Sequence, residues 1–189
     1  MAGEEQDMHE MTAADLRSAF GGESMAHMRY KIWADKAEQK GYPNVARLLR
    51  AISRAEQAHA TGHFAAMGDV GGAFPVTAGG GFGLNGTSED LQGAIDGETF
   101  EVEEMYPAYL AVAEAQQEKS AIRSIQYALS AEEIHAAMFT EAKAAVDQGK
   151  DVELGPIQIC TVCGHTLEGD APARCPICGA AKRKYEGFA

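Results

Sequence analysis

The sequence predicts a mainly α fold: a bundle of four helices with one long crossover between the second and third, plus a small four-cysteine metal module at the C-terminal end. Three observations carry that expectation. Apolar residues recur at steps of three and four along four long stretches, the spacing of helices that each bury one face. A glycine-rich segment at 68–87 separates the second stretch from the third. The four cysteines stand together as Cys160-x-x-Cys163 and Cys175-x-x-Cys178.

Start and stop signals bound the helices near 12–40, 43–67, 88–116 and 119–147. Thr12 and Ser88 are the expected N-caps, with Glu89 and Asp90 after Ser88, where the helix dipole favours acids. Gly41-Tyr42-Pro43 makes a tight break between the first two helices, and Pro107 predicts a kink or local bulge inside the third. The glycine-rich crossover, about twenty residues, can reach roughly 60 Å when extended. A helix of about 25 residues is only about 37 Å long. The crossover can therefore run the length of the bundle, which is the ferritin-like arrangement. The expected organisation is a helical domain at 1–147, a linker containing Gly149, Gly155 and Pro156 at 148–158, and the cysteine module at 159–189.

Acids and histidines interrupt the apolar seams at matching depths. Glu23 lies between Phe20 and Tyr30 on the first seam, and Glu56-x-x-His59 follows Ile52 on the second. Glu98-x-x-Glu101 follows Leu91 and Ile95 on the third, which continues through Val102, Met105, Tyr109 and Val112. Glu132-x-x-His135 lies between Leu129 and Phe139 on the fourth. Residues three apart share a helix face, so each pair aims both groups at one point. A buried carboxylate must be protonated or paired, and no stretch supplies a matching set of inward lysines or arginines. One Glu from each of two helices and a Glu-x-x-His from each of the other two is the recipe of bundle-core di-iron and di-manganese sites. Glu133, two residues from His135, points elsewhere. His27 and His63, one turn beyond Glu23 and His59, could serve as extra ligands, but the favoured expectation is that they support the ligands or sit satisfied in the core.

The two Cys-x-x-Cys pairs read as a four-thiolate metal site, because a disulfide framework would scatter them and a reducing compartment keeps thiols free. Cys163-Gly164 and Cys178-Gly179 suit turns whose backbone amides point back at the sulfurs. Tetrahedral sulfur serves iron and zinc alike. The metal is expected to supply much of this short module's folding energy.

Other classes are disfavoured. A net charge of −12 opposes binding to a phosphate backbone. No apolar run approaches the length of a membrane span, and the acidic start from Met1 to Glu10 lacks the features of a secretory signal. These readings predict a cytoplasmic protein with neither nucleic acid nor membrane as a partner. Gly81-Phe82-Gly83-Leu84-Asn85-Gly86 matches G-x-G-x-x-G by letter, but no strand leads into it, so it reads as crossover. Lys182-Arg183-Lys184 reads as a solvated basic run that could help to dock an acidic redox partner.

Ala19-Phe20-Gly21-Gly22-Glu23-Ser24 with Arg29-Tyr30, Glu56-x-x-His59, Gly97-Glu98-x-x-Glu101 with Met105-Tyr106-Pro107, Glu132-x-x-His135 and Cys175-Pro176-Ile177-Cys178-Gly179 together resemble the rubrerythrin family. The resemblance covers nearly the whole chain and makes its tail rubredoxin-like. It implies a di-iron centre held by Glu23, Glu56, His59, Glu98, Glu132 and His135, with Glu101 as an additional carboxylate that exchanges with His59 on redox change. It implies Tyr30 and Tyr106 beside those metals, and a mononuclear iron on Cys160, Cys163, Cys175 and Cys178, with zinc able to take its place in a recombinant preparation. It further implies a peroxidase that reduces hydrogen peroxide to water, with electrons from an external donor such as rubredoxin or an NAD(P)H-dependent reductase, in a homodimer or higher homo-oligomer. His165 departs from the pattern, standing where rubredoxin-like modules often carry an aromatic residue.

The same ligands suit a ferroxidase or oxygen-reducing protein, which a preference for oxygen over peroxide would reveal. A non-enzymatic iron-binding or peroxide-sensing protein with structural zinc in the tail would lack the visible absorption of a ferric four-thiolate site.

Overall fold

The computed structural model describes residues 8–189, so the acidic start read from Met1 to Glu10 lies largely outside the described residues. The first two arms of the bundle are α1 (Glu10–Gln39) and α2 (Pro43–Ala66), reversed by a turn in which Gly41 takes a φ of 87°. The third arm is α3 (Thr87–Phe100) continued by α4 (Tyr106–Ala115), with the π-helical segment Glu101–Met105 between them. The fourth is α5 (Lys119–Val146). Leu49, Ile52, Leu91 and Phe139 are fully buried where the arms meet. No helix of the described residues is long and apolar enough to cross a membrane.

The expected caps do not form. Thr12 is already inside α1, where its hydroxyl donates to Gln116 Oε1 at 2.7 Å, and Ser88 donates to Asp147. Both hydroxyls find partners at the ends of neighbouring helices rather than on their own backbone. The positions that precede the two helices are His9 and Gly86.

The bulge expected near Pro107 is the π-helical segment, in which the Tyr106 N–H reaches back to Glu101 O, five residues earlier. A π turn takes in one residue more than an α turn, so the seam slips by one position beyond it. The expected seam of Met105, Tyr109 and Val112 is only half-buried, and Tyr106 and Ala113 are fully buried instead.

Residues between α2 and α3 run along α1. Ser18 Oγ donates to Thr77 O at 2.7 Å and Trp33 Nε1 to Gly83 O at 3.0 Å, and that span of α1 is about 22 Å of helix. Gly21 permits the approach: a Cβ there would fall 2.4 Å from Val76 Cγ1.

The tail folds as a three-stranded antiparallel sheet in the order β2-β1-β3, from β1 (Ile157–Cys160), β2 (Thr166–Glu168) and β3 (Tyr185–Phe188). Ile157 and Ile159 are fully buried in the same apolar cluster as Leu49, Ile52 and Phe139 of the bundle. Residues 148–158 are not a free tether: the Asn44 backbone N–H donates to Asp151 Oδ2 at 2.8 Å, and Asn44 Nδ2 to Val152 O at 2.9 Å.

Candidate metal centres

Four arms meet at one depth with their acids pointing inward. Glu23, Glu56, Glu98, Glu132, His59 and His135 are all buried; the first and third arms each contribute one of these glutamates, and the second and fourth each contribute a Glu-x-x-His pair. Two groups have ligand atoms within 4.8 Å of one another: Glu23, Glu56, His59 and Glu132, and then Glu56, Glu98, Glu132 and His135. Glu56 and Glu132 belong to both, which is the placement of carboxylates that bridge two cations. Glu101, first residue of the π-helical segment, is half-buried and stands outside both groups. Glu133 is exposed.

The imidazoles are held from outside. His59 Nδ1 lies 2.6 Å from Glu132 Oε1 and 3.0 Å from Glu56 Oε2, and His135 Nδ1 lies 2.6 Å from Glu132 Oε2. On the far side, His59 Nε2 lies 3.2 Å from Cys163 O and His135 Nε2 lies 2.8 Å from Thr166 Oγ1. A carbonyl only accepts, and Thr166 spends its proton on Gly164 O at 2.9 Å. Both imidazoles therefore donate outward through Nε2 and present Nδ1 to the acids. The tail supplies both acceptors, and nothing in the local sequence of Cys163 or Thr166 announces that role.

The donor set fits two cations. Glu23 Oε2 and Glu56 Oε1 are buried without any hydrogen-bond partner, which is costly unless a positive charge lies beside them. Burial, with neighbouring acids adding to it, pushes Glu98 and Glu101 well above the usual carboxylate range. Burial and the charge of Glu132 raise Glu56 to about 7. Against burial, the charge of His59 draws Glu23 and Glu132 down; those two acids in turn lift His59 well up, and Glu132 with Glu56 lifts His135 to about 9. Among the described residues, protons on the imidazoles are the only positive charge that pairs with these acids.

Tyr30 Oη donates to Glu98 Oε1 at 2.6 Å, and Tyr106 Oη donates to Glu23. Burial and the adjacent acids raise both phenols well above their ordinary value, so both remain donors. His27 is satisfied away from the cluster, with Nδ1 2.6 Å from Ser53 O. His63 touches the cluster indirectly, with Nε2 3.0 Å from Tyr106 Oη.

The cysteines converge as a second site. Cys160 and Cys178 have sulfurs 3.7 Å apart and Cys163 and Cys175 3.5 Å apart, close to the roughly 3.8 Å edge of a tetrahedron with metal–sulfur bonds near 2.3 Å. The two turns repeat one geometry: Gly164 N–H reaches Cys160 O and Gly179 N–H reaches Cys175 O, each at 2.9 Å, with φ of 75° and 73°. His165 donates or accepts through Nδ1 with Tyr185 Oη at 2.8 Å at the edge of this module.

Comparison with known proteins agrees with both sites. The rubrerythrin family model matches residues 15–143, and the model of the rubrerythrin rubredoxin-like domain matches residues 158–186. The chain is 47% identical over 178 residues to rubrerythrin-2 of Clostridium acetobutylicum, covering 94% of this chain and 97% of that one. It is 30% identical over 179 residues to a rubrerythrin of Porphyromonas gingivalis, covering 93% and 88%. The solved structure of nigerythrin in its fully reduced, all-ferrous state superposes with a TM-score of 0.83 at 25% identity, covering all of this chain and 92% of that one. With its di-iron carboxylate–histidine site in the bundle and its four-cysteine rubredoxin-like site in the tail, the chain belongs to the rubrerythrin family.

Proposed function

We propose that this chain is a peroxidase that reduces hydrogen peroxide to water, drawing electrons through its four-thiolate site from an external rubredoxin or NAD(P)H-linked reductase. The reading rests on one observation: the thiolate module is docked on the bundle site of its own chain, with Cys163 O against His59 Nε2 and Thr166 Oγ1 against His135 Nε2. A ligand of one site is thus one hydrogen bond from a ligand of the other, the arrangement a relay needs and a storage protein does not. Iron held by Glu23, Glu56, His59, Glu98, Glu132 and His135 would supply, when bound and ferrous, the two electrons that splitting the peroxide bond consumes.

The chain's own groups supply what else the reaction H2O2 + 2e⁻ + 2H⁺ → 2H2O requires. Glu56 and Glu132 hold both halves of the site together. Tyr30 and Tyr106 keep hydroxyl protons at its edge on Glu98 and Glu23. Glu101, outside both groups and beside a π-helical turn, is the carboxylate free to move in and out. Self-association is part of this reading, since Met28, Ile32, Phe82 and Leu84 expose apolar side chains along α1 and the crossover. Mixing reduced, iron-loaded protein with peroxide or with oxygen tests the proposal. Faster appearance of the ferric thiolate absorption with peroxide than with oxygen supports it. Equal or faster reaction with oxygen favours the oxygen-reducing alternative.

A further inference from the structure

We infer that His63 and Ser124 position the hydroxyl proton of Tyr106 on Glu23, forming with Tyr106 a one-way string of hydrogen bonds from a surface cavity to the di-iron site. The inference rests on the metal-site reading above and adds two residues to it. His63 is fully buried, belongs to neither ligand group, and has each ring nitrogen spoken for: Nε2 is 3.0 Å from Tyr106 Oη and Nδ1 is 3.0 Å from Ser124 Oγ. Its separation from Glu23 Oε1, 3.9 Å, is too long for a hydrogen bond.

The direction of the string follows from counting protons. Glu23 acts as a ligand only when ionised, so it can only accept, and Tyr106 must spend its single proton there. The remaining lone pair of Tyr106 then needs a donor, which is Nε2–H of His63. A neutral imidazole protonated at Nε2 is bare at Nδ1, so Nδ1 must accept from the Ser124 hydroxyl. Each donor thus points toward the metals. The opposite order, with Nδ1–H given to Ser124 and the tyrosine proton given to Nε2, would strip Glu23 Oε1 of its hydrogen bond. In the order inferred, Oε1 is committed to Tyr106, and Oε2, which has no hydrogen-bond partner, is left for metal.

The outer end opens to solvent. Ser124 lines a cavity of about 200 Å³ between α2, α5 and the tail, together with His59, Arg123, Val162 and Cys163. Arg123 and Val162 are exposed at its rim. Gly62 keeps the approach clear, since a Cβ there would lie 3.1 Å from Ser124 Oγ. A water in the cavity can donate to Ser124 without disturbing the order behind it.

Two measurements on the full chain test this. In zinc-loaded, ¹⁵N-labelled protein, which is redox-silent, long-range NMR correlations of His63 should report a proton on Nε2 and none on Nδ1; the reverse tautomer overturns the proposal. In iron-loaded protein, His63→Leu should keep both bundle irons, shift the ligand-to-iron charge-transfer bands of the azide adduct, and slow the single reaction with peroxide by roughly tenfold or more, the scale of one hydrogen bond to a charged group. His63→Gln, which keeps a donor and an acceptor, should restore the spectrum and most of the rate. A His63→Leu variant with unchanged spectrum and rate sinks the proposal. If His63→Leu fails to load iron, the tautomer measurement still decides. If the wild-type protein itself ignores peroxide, the peroxidase reading fails while the tautomer continues to report on the string.

Discussion

Gly164 lies against the imidazole of His59 so closely that a methyl group on its Cα would stand 1.9 Å from Nε2. Its counterpart Gly179 shares the positive φ but has open space around the same position. Gly164 is therefore required twice, for its backbone conformation and for the docking of the tail on the bundle. Gly179 is required once.

That contrast predicts different outcomes for matched substitutions. Gly179→Ala should cost about 1 kcal/mol of module stability through backbone strain and leave electron passage intact. Gly164→Ala should keep the thiolate iron and its visible absorption yet slow its oxidation after peroxide addition tenfold or more, because the tail must lift from His59. Stopped-flow traces at the thiolate band compare the two directly. Equal rates would remove the docking argument.

Because Glu56 and Glu132 belong to both ligand groups, replacing them together should empty the bundle and spare the tail. Glu56→Ala with Glu132→Ala is expected to lower iron from roughly three to roughly one per chain, by the ligand count. Ferric thiolate absorption should persist. Two bundle irons retained in that variant would contradict the bridging assignment.

Glu101 opens the π-helical segment and stands outside both groups, so Glu101→Ala should leave iron content unchanged. Turnover with peroxide should nevertheless fall if this carboxylate moves to the metals on oxidation. Metal analysis and single-turnover rates on one preparation separate the two effects, and an unchanged rate where chemistry is limiting would deny the role.

The tail is also part of the bundle's core. Ile157 and Ile159 are fully buried among bundle side chains, and truncating a buried isoleucine to alanine costs about 2–5 kcal/mol. Ile159→Ala should therefore destabilise the helices as well as the module. Loss of helical dichroism and of thiolate colour should coincide on heating, and deletion of residues 154–189 should lower the melting temperature of the remaining helices. Two well-separated transitions in the full chain would point to independent units.

What could be read in advance follows the range of the forces involved. The four helices and the inward Glu and His positions were legible because periodicity and i,i+3 pairing are local. The seam beyond Glu101 misplaced its register by one residue, since spacing cannot count the extra residue of a π turn, although Met105-Tyr106-Pro107 pointed to Tyr106 as a motif. Thr12 and Ser88 were misread as caps because their partners, Gln116 and Asp147, lie far away in sequence. The roles of Cys163 O, Thr166 and Ser124 depend wholly on how the tail and α5 pack, and carry no local signal.

The buried acids also predict how stability depends on pH when the bundle is stripped of metal. Glu56, raised to about 7, and Glu98 and Glu101, raised well above the usual carboxylate range, bind protons in the folded chain that the unfolded chain releases near 4.5. His59 and His135, the latter at about 9, hold protons that the unfolded chain releases near 6.5. In every one of these groups the folded state binds more protons, so stability must fall as pH rises. Glu23 and Glu132 are lowered instead; their contribution is present above 4.5 and lost only at lower pH, so they add no slope between pH 5 and 9. The melting temperature of bundle-depleted protein should therefore drop steadily across pH 5–9. Iron-loaded protein should show a much flatter curve there and lose its advantage toward pH 5, where protons compete with metal for the same ligands. The net charge of −12 favours the same direction, but surface repulsion is screened by salt and a buried cluster is screened far less. Melting curves recorded by dichroism in about 0.5 M salt separate the two contributions: a slope that survives belongs to the buried acids, and a flat curve for the metal-depleted bundle would mean that they are not burying charge together.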